Sequence, residues 1–364
     1  MRSAVRSDLL ERQLKRYCPR FQGAVRTLAA QHVRLADLAL SFPTLLFALA
    51  APRRGLDVAC AIGHAIEGAP LAQVAVAADV PLWLRRLPPE ALSHAVPPLP
   101  DSKAFRRRIV NHLPSVKEAP VWFQAVSEMA DLADEAAVVW IAKEIIRDRK
   151  SVKLKQLRLV GLWAWFSERP DTFGHSLIEK CWTQNVRFRP AVDAANDWQT
   201  TIDLHVNLGR ATITDLWLPP ARICGYDFRP LASASEIAEE AAAMSNCLRN
   251  YGDDVAHNHS RLWSLRKEGQ RIATLSIGFN RPLPHILELK GPENAEAPLE
   301  VWWAAQQWLN LHDLSHARPE RPGWHSVPLD RATWLSLWRP YWLAKRRLPE
   351  WLPLAPSRSA LWAL

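Results

Sequence analysis

From the N-terminus to about Leu231, apolar residues recur at three and four spacing, and Pro52, Pro70, Pro81, Pro100, Pro120, Pro170 and Pro190 punctuate the pattern. That period is helical, and the prolines mark turns between short helices. The clearest helix is expected from about Pro120 to Arg147, where Val121, Ala125, Met129, Leu132, Ala136, Val139 and Ile146 can share one apolar stripe. A second should follow from Leu154 to Phe166. Leu38 to Ala51 is the most membrane-like stretch, but it is too short to span a bilayer, has Asp37 just before it and is broken by Pro43. It reads as a buried helix or helix pair. The alternation suggests a stacked helical array without a fixed repeat.

The period changes after Asp227. Ser233 or Ser235 can cap a helix running through Glu239 and Glu240 to about Arg249, its acidic residues favoured near the positive end of the macrodipole. Three β-type runs follow, Leu262 to Arg266, Arg271 to Phe279 and His285 to Lys290. A Lys267-Glu268-Gly269-Gln270 turn and an Asn280-Arg281-Pro282 turn separate them. Ala273, Leu275, Ile277 and Phe279 alternate and so point to one face. Leu299 to Leu311 is again helical. Beyond it, Trp334, Trp338 and Trp342 stand four apart, although Pro340 argues against one continuous helix. A bent helix packing those rings on the body is expected, with a partner or membrane surface as the alternative. The expected fold is therefore α+β. A mostly helical region at 1–230 precedes a small α+β domain at 231–312 with a three-stranded antiparallel meander flanked by helices. A Trp/Pro-rich helical segment occupies 313–364.

Composition fits a folded chain, with 48% hydrophobic and 23% charged residues over 364 positions, a length that favours two folding units. The five cysteines, Cys18, Cys60, Cys181, Cys224 and Cys247, are widely separated without a CxxC pair, which suits a reducing cytoplasm rather than a disulfide framework or a zinc finger. No signal-peptide pattern follows the N-terminal Arg2, Arg6 and Asp8, and no membrane span is expected. The formal charge of +9 will attract polyanions. Its densest source is Arg147, Arg149, Lys150, Lys153, Lys155 and Arg158, a candidate nucleic-acid contact or a solvated helix face. Arg106, Arg107 and Arg108 would extend that footprint only if the fold joins the two clusters. His312-Asp313-Leu314-Ser315-His316 has zinc-like i, i+4 spacing, but its aspartate is short and the helix is ending, so no metal is expected. His257-Asn258-His259, beside Asp253 and Asp254, reads as a polar loop. Walker, GxGxxG and GxSxG patterns are missing, and no cofactor is expected.

The remaining chemistry lies between Met244 and Asn294. The relevant runs are Met244-Ser245-Asn246-Cys247-Leu248-Arg249-Asn250-Tyr251, Ser264-Leu265-Arg266, Ala273-Thr274-Leu275-Ser276-Ile277 and Ile286-Leu287-Glu288-Leu289-Lys290-Gly291-Pro292-Glu293-Asn294. Over about residues 233–312 this resembles the PcfJ-like family, named for a conjugative-plasmid protein. The family has a helix with a Cys-x3-Tyr pair and a small sheet ending in a basic-Gly-x-x-Asn turn. Cys247, Tyr251, Arg266, Thr274, Lys290, Gly291 and Asn294 fit the pattern. Ser245 and Asn246 stand where relatives often have histidine, Ser276 where they have glutamate, and Glu288 where they have glutamine. The resemblance implies an accessory protein of a plasmid, phage or other mobile element, and the basic charge gives it a motive to bind nucleic acid, with a partner protein as the other expected ligand. The alternative is a cofactor-independent enzyme centred on Cys247, its pocket lined by Tyr251, Arg266, Thr274, Glu288, Lys290 and Asn294.

Read without the family, Cys247 and Tyr251 share a helix face with Met244 and Leu248, and Cys247 can pack as a small hydrophobe. It can equally serve as a nucleophile, with His257, His259 or His285 as base and Lys290 favouring the thiolate. Gly291 suggests a left-handed backbone position in a turn whose N–H groups could face an anion. Asn294 would hydrogen-bond its own loop. No small-molecule ligand is specified.

Overall fold

A computed structural model describes residues 2–209, 212–280, 283–311 and 331–346. The chain forms two compact units, one from Met1–Arg169 with Lys180–Ala195 and the other from Pro170–Glu179 with Asn196–Leu364.

In sequence order the first unit holds α1 (Arg2–Leu14), α2 (Pro19–Gln31), α3 (Val33–Ser41), α4 (Pro43–Ala50), α5 (Ala59–Glu67), α6 (Leu71–Ala77), α7 (Lys103–Ile109), α8 (Ala119–Leu132), α9 (Glu135–Asp148) and α10 (Leu154–Ser167). The most apolar stretch is the expected helix pair. Phe42 leaves helical geometry between α3 and α4, and Pro43 opens α4 at a position where its missing N–H has no intrahelical role. Leu45, Leu46, Phe47 and Leu49 are buried. The long helix expected from Pro120 to Arg147 is two helices. Ala133 is extended, with φ −125° and ψ −170°, and the Asp134 carboxylate lies 2.7 Å from Arg169. Tryptophan supplies much of the core. Trp83 meets Phe105 and Trp122 edge to face, and Trp140 meets Trp182 in the same way and stacks on Phe188.

The second unit holds α11 (Phe173–Ser176), most of α12 (Phe188–Leu208) and a five-stranded antiparallel sheet in the order of the chain. The strands are β1 (Ala221–Ile223), β2 (Tyr226–Pro230), β3 (Ser260–Lys267), β4 (Gln270–Asn280) and β5 (Leu283–Lys290). The expected three-stranded meander corresponds to β3, β4 and β5. β1 and β2 are additions from the stretch that reads as helical. The hairpin between β3 and β4 turns on Glu268 and Gly269, both with positive φ, the geometry that matches strand twist. The turn between β4 and β5 includes 281–282, outside the described residues.

The two faces of the sheet differ. Trp263, Leu265, Ala273, Leu275, Ile277 and Leu289 form one core with Val301, Ala304, Ala305 and Trp308. Trp308 stacks on Phe228 and meets Trp263 edge to face, both at 4.7 Å between ring centroids. On the other face, Leu262 joins Ile237, Ala241, Leu248 and Val255. That face is partly covered by α13 (Ala234–Met244) and α14 (Gly252–Ala256), while α15 (Leu299–Asn310) supplies the core of the first. α13 begins where the sequence indicates. The Ser233 hydroxyl accepts from the Glu236 N–H, and the Glu236 carboxylate accepts from the Ala232 N–H.

α16 (Arg331–Lys345) runs through Pro340 rather than breaking before it. Trp334 and Trp338 are buried, as the packing reading expects. The His312–His316 motif lies outside the described residues.

Candidate functional site

α13 stops at Met244, short of Arg249, because Ser245 takes the left-handed conformation (φ 50°, ψ 44°). The chain then turns back over the sheet, and Leu248–Tyr251 form a 3₁₀ turn. Cys247 and Tyr251 therefore do not share a continuous helix. They nevertheless face one small open cleft, lined by Asn246, Cys247, Leu248, Tyr251, Thr274, Ser276, Glu288, Lys290 and Asn294.

The sheet register explains the wall. Thr274 pairs with Ser264 on one side and Lys290 on the other, while Ser276 pairs with Leu262 and Glu288. Residues two apart on a strand share a face, so these rows lie side by side under the α13 turn. A bulge sets the outer row. Ser276 pairs with Glu288 but Ile277 pairs with Ile286, which leaves Leu287 as an extra residue. Ile286 and Leu289 can thus both reach the α15 core while Glu288 turns to the cleft.

Hydrogen bonds fix the rim. The Asn246 amide donates to Thr274 Oγ1 at 3.1 Å, and its carbonyl accepts from the Leu248 N–H at 3.2 Å. Asn294 Oδ1 accepts from the Cys247 N–H at 3.4 Å and from its thiol at 3.5 Å. Glu293 and Asn294 both have positive φ, an arrangement asparagine tolerates, and it aims Asn294 at the thiol rather than at its own loop. The Tyr251 hydroxyl donates to Glu288. Burial first, and then the Glu288 carboxylate, hold the Tyr251 phenol above its ordinary range. Cys247 is exposed, contrary to the buried-hydrophobe expectation. At the floor, Ser276 is 3% exposed and its hydroxyl has no hydrogen-bond partner among the described residues.

Two residues of the expected constellation lie elsewhere. Arg266 does not line the cleft. Its guanidinium bonds Ser264 Oγ and lies 3.3 Å from the fully buried Glu240 carboxylate, which Arg271 also reaches at 2.8 Å. Gly291 has φ −78°, open to any residue, and its N–H donates to Ala295 O at 2.8 Å, so it is not turned toward an anion. Among the described residues no histidine lines the cleft. His257 bonds the Asp253 carbonyl, His259 lies near Asp254, and His285 on β5 pairs with Gly278 on β4. The histidine–cysteine pair is therefore not assembled. Among the described residues no group of histidine, cysteine and carboxylate could hold a metal. Asn246 and Ser276 enter the site although sequence comparison marks them only as departures. The i, i+2 relation of Ser276 to Thr274 is the signal for its position.

The basic candidates lie in the first unit. Arg147, Arg149, Lys150, Lys153, Lys155 and Arg158 are all exposed around the α9–α10 turn. Arg147 pairs with Glu144 and Arg158 with Glu128, each at 2.6 Å. No described helix is long and apolar enough to cross a membrane.

No protein-family model matches the chain, and no curated protein or solved structure proves similar to it.

Proposed function

We propose that the cleft is the working site of a PcfJ-like domain and that it acts through the Cys247 thiol on a small polar ligand with an electrophilic carbon. The supporting observation is the convergence of Asn246, Tyr251, Thr274, Glu288, Lys290 and Asn294 on an exposed thiol, above a buried serine hydroxyl that lacks a partner. A buried unsatisfied hydroxyl costs about 1–3 kcal/mol, which a ligand oxygen would recover. Lys290 supplies positive charge for an oxyanion, and Glu288 is the carboxylate of the cleft. In this reading Glu288 takes the thiol proton, directly or through water, as sulfur bonds to an acyl carbon. The leaving group departs with that proton, and water later releases the acyl group. The accessory role in a mobile element is part of the same proposal and rests on the PcfJ-like resemblance.

The test exploits the protein's own cysteines. Cys60, Cys181 and Cys224 are also exposed and serve as internal controls. Timed alkylation with iodoacetamide near neutral pH, read by peptide mass spectrometry, should modify Cys247 at least about tenfold faster than they do, since reactivity follows the local environment. Glu288→Gln should remove that advantage. Equal rates at all four sites would overturn the thiol reading.

A further inference from the structure

The basic residues of the first unit are joined by contacts that their sequence spacing does not reveal. Glu144 on α9 is 6% exposed, yet its carboxylate accepts from Arg147 Nη1 at 2.6 Å and from the Phe188 N–H at 3.0 Å, and lies 3.6 Å from Arg187 Nη1. One nearly buried carboxylate thus fixes guanidinium groups from α9 and from the residue preceding α12. Arg108, at the end of α7, donates to Gln184 Oε1 at 3.2 Å, three residues before Arg187. His112, three residues past the end of α7, faces Lys143 of α9 closely enough that, after burial, the Lys143 charge holds its imidazole below the ordinary range.

Lys143 and Arg147 are one turn apart on α9 and both are exposed, with Lys150 following on the same line. Arg149, Lys150, Lys153 and Lys155 are exposed and form no salt bridge among the described residues. Arg107 and Arg187 are likewise exposed. Arg106 pairs with Asp101 at 2.6 Å and the exposed Asp148 stands between Arg147 and Arg149, but the contacts through Gln184 and Glu144 bring the two clusters into one surface of positive excess that adds Lys143 and Arg187, which the sequence does not single out.

We infer that this surface docks the phosphate backbone of duplex nucleic acid without reading its sequence. Guanidinium groups held in place by a buried carboxylate lose little freedom when they meet a phosphate, and the unpaired lysines supply additional charges. Binding of unpaired strands draws on exposed aromatic platforms. In the described part of this unit the large exposed apolar side chains are aliphatic, with Ile146 the one on α9. Backbone contact to a duplex is what such a surface offers. The site is independent of the Cys247 cleft.

The experiment is fluorescence anisotropy of the full-length protein with labelled duplex DNA of mixed sequence, from about 50 mM to about 200 mM salt. The wild type should bind at low salt and weaken steeply as salt rises. Lys150→Glu with Lys153→Glu and Lys155→Glu should weaken binding at least about tenfold and flatten the salt dependence by about 0.9 for each phosphate no longer neutralised. Arg107→Glu with Lys143→Glu should do the same, because the surface is composite. Circular dichroism checks that each variant is folded, and these exposed, unpaired positions should tolerate the changes. Cys247→Ala should bind as the wild type does. Loss of binding in Cys247→Ala would overturn the assignment to this unit, and indifference to Arg107 and Lys143 would overturn the composite surface. Absence of duplex binding at low salt, tighter binding of single strands, or binding only to phosphatidylserine vesicles would overturn the proposal itself.

Discussion

The Tyr251 hydroxyl donates to the Glu288 carboxylate and so ties the turn after α13 to the last strand of the sheet. The bond needs a protonated phenol. Burial and Glu288 raise the Tyr251 pKa above its unfolded value of about 10. A raised pKa contributes stability that is complete below the unfolded value and is lost as pH rises through the folded one. Urea midpoints of the wild type should therefore fall from about pH 10 upward more steeply than those of Tyr251→Phe. Parallel profiles would remove the coupling between this bond and folding.

Glu240 supplies a second test, on stability rather than chemistry. Its fully buried carboxylate accepts from Ser264 at 2.6 Å and meets Arg266 and Arg271. Removing one partner of a buried charge cluster typically costs about 3–5 kcal/mol. Glu240→Ala should fall in that range by chemical denaturation. Arg266→Ala should lose less, since Arg266 is partly exposed and Arg271 remains beside the carboxylate. Under native conditions it should leave the Cys247 alkylation rate unchanged, because Arg266 lies outside the cleft.

The contrast between Arg266 and Thr274 shows what the sequence could convey. Strand period and turn chemistry are local, so β3, β4 and β5, the Ser233 cap and the face shared by Ala273, Leu275 and Ile277 were all legible. β1 and β2 are short, with Cys224 and Gly225 between them, and give too few positions for alternation to register. Asp134 followed by Glu135 is an N-cap signature for α9, but the apolar spacing continues through it and no proline or glycine marks the break, so the periodicity reads as one helix. Bulges are the deeper obstacle. By alternation Arg271 should share the face of Ala273, but Ile272 is an extra residue and Arg271 swings to Glu240. The PcfJ-like resemblance singles out Cys247, Tyr251, Thr274, Lys290 and Asn294 of the cleft but not Asn246 or Ser276, and it also carries Arg266 and Gly291, whose roles depend on contacts across the fold.

Asp203, on α12, gives a pH signature of the same sign at lower pH. One carboxylate oxygen is buried without a hydrogen-bond partner among the described residues, and burial raises the pKa to about 6. Folding therefore favours the protonated acid. That contribution is complete below the unfolded value of about 3.9 and is lost as pH rises through about 6. Asp203→Asn should raise the melting temperature relative to wild type at about pH 8 and lose that advantage toward about pH 4. A pH-independent difference would show that the carboxylate is solvated or paired in solution.

Gly278 and Gly291 test the bulge that delivers Glu288 to the cleft. A Cβ added to Gly278 would meet Leu287 Cδ1 at 2.7 Å, closer than carbon atoms normally approach, whereas one added to Gly291 would find its nearest neighbour at 3.6 Å. The extra residue Leu287 thus lies over the gap left by Gly278, and the pair sets how the bulge folds onto β4. Gly278→Ala should destabilise by less than the roughly 1–3 kcal/mol of core overpacking, because Leu287 is 48% exposed and its tip can turn partly aside. Gly291→Ala should be close to neutral. Leu287→Ala should recover most of the Gly278→Ala loss in a double-mutant cycle, because the two changes act on one contact. Since Glu288 follows Leu287 directly, Gly278→Ala should also slow Cys247 alkylation, and the double variant should restore it. Recovery of stability without recovery of reactivity would uncouple the bulge from the cleft.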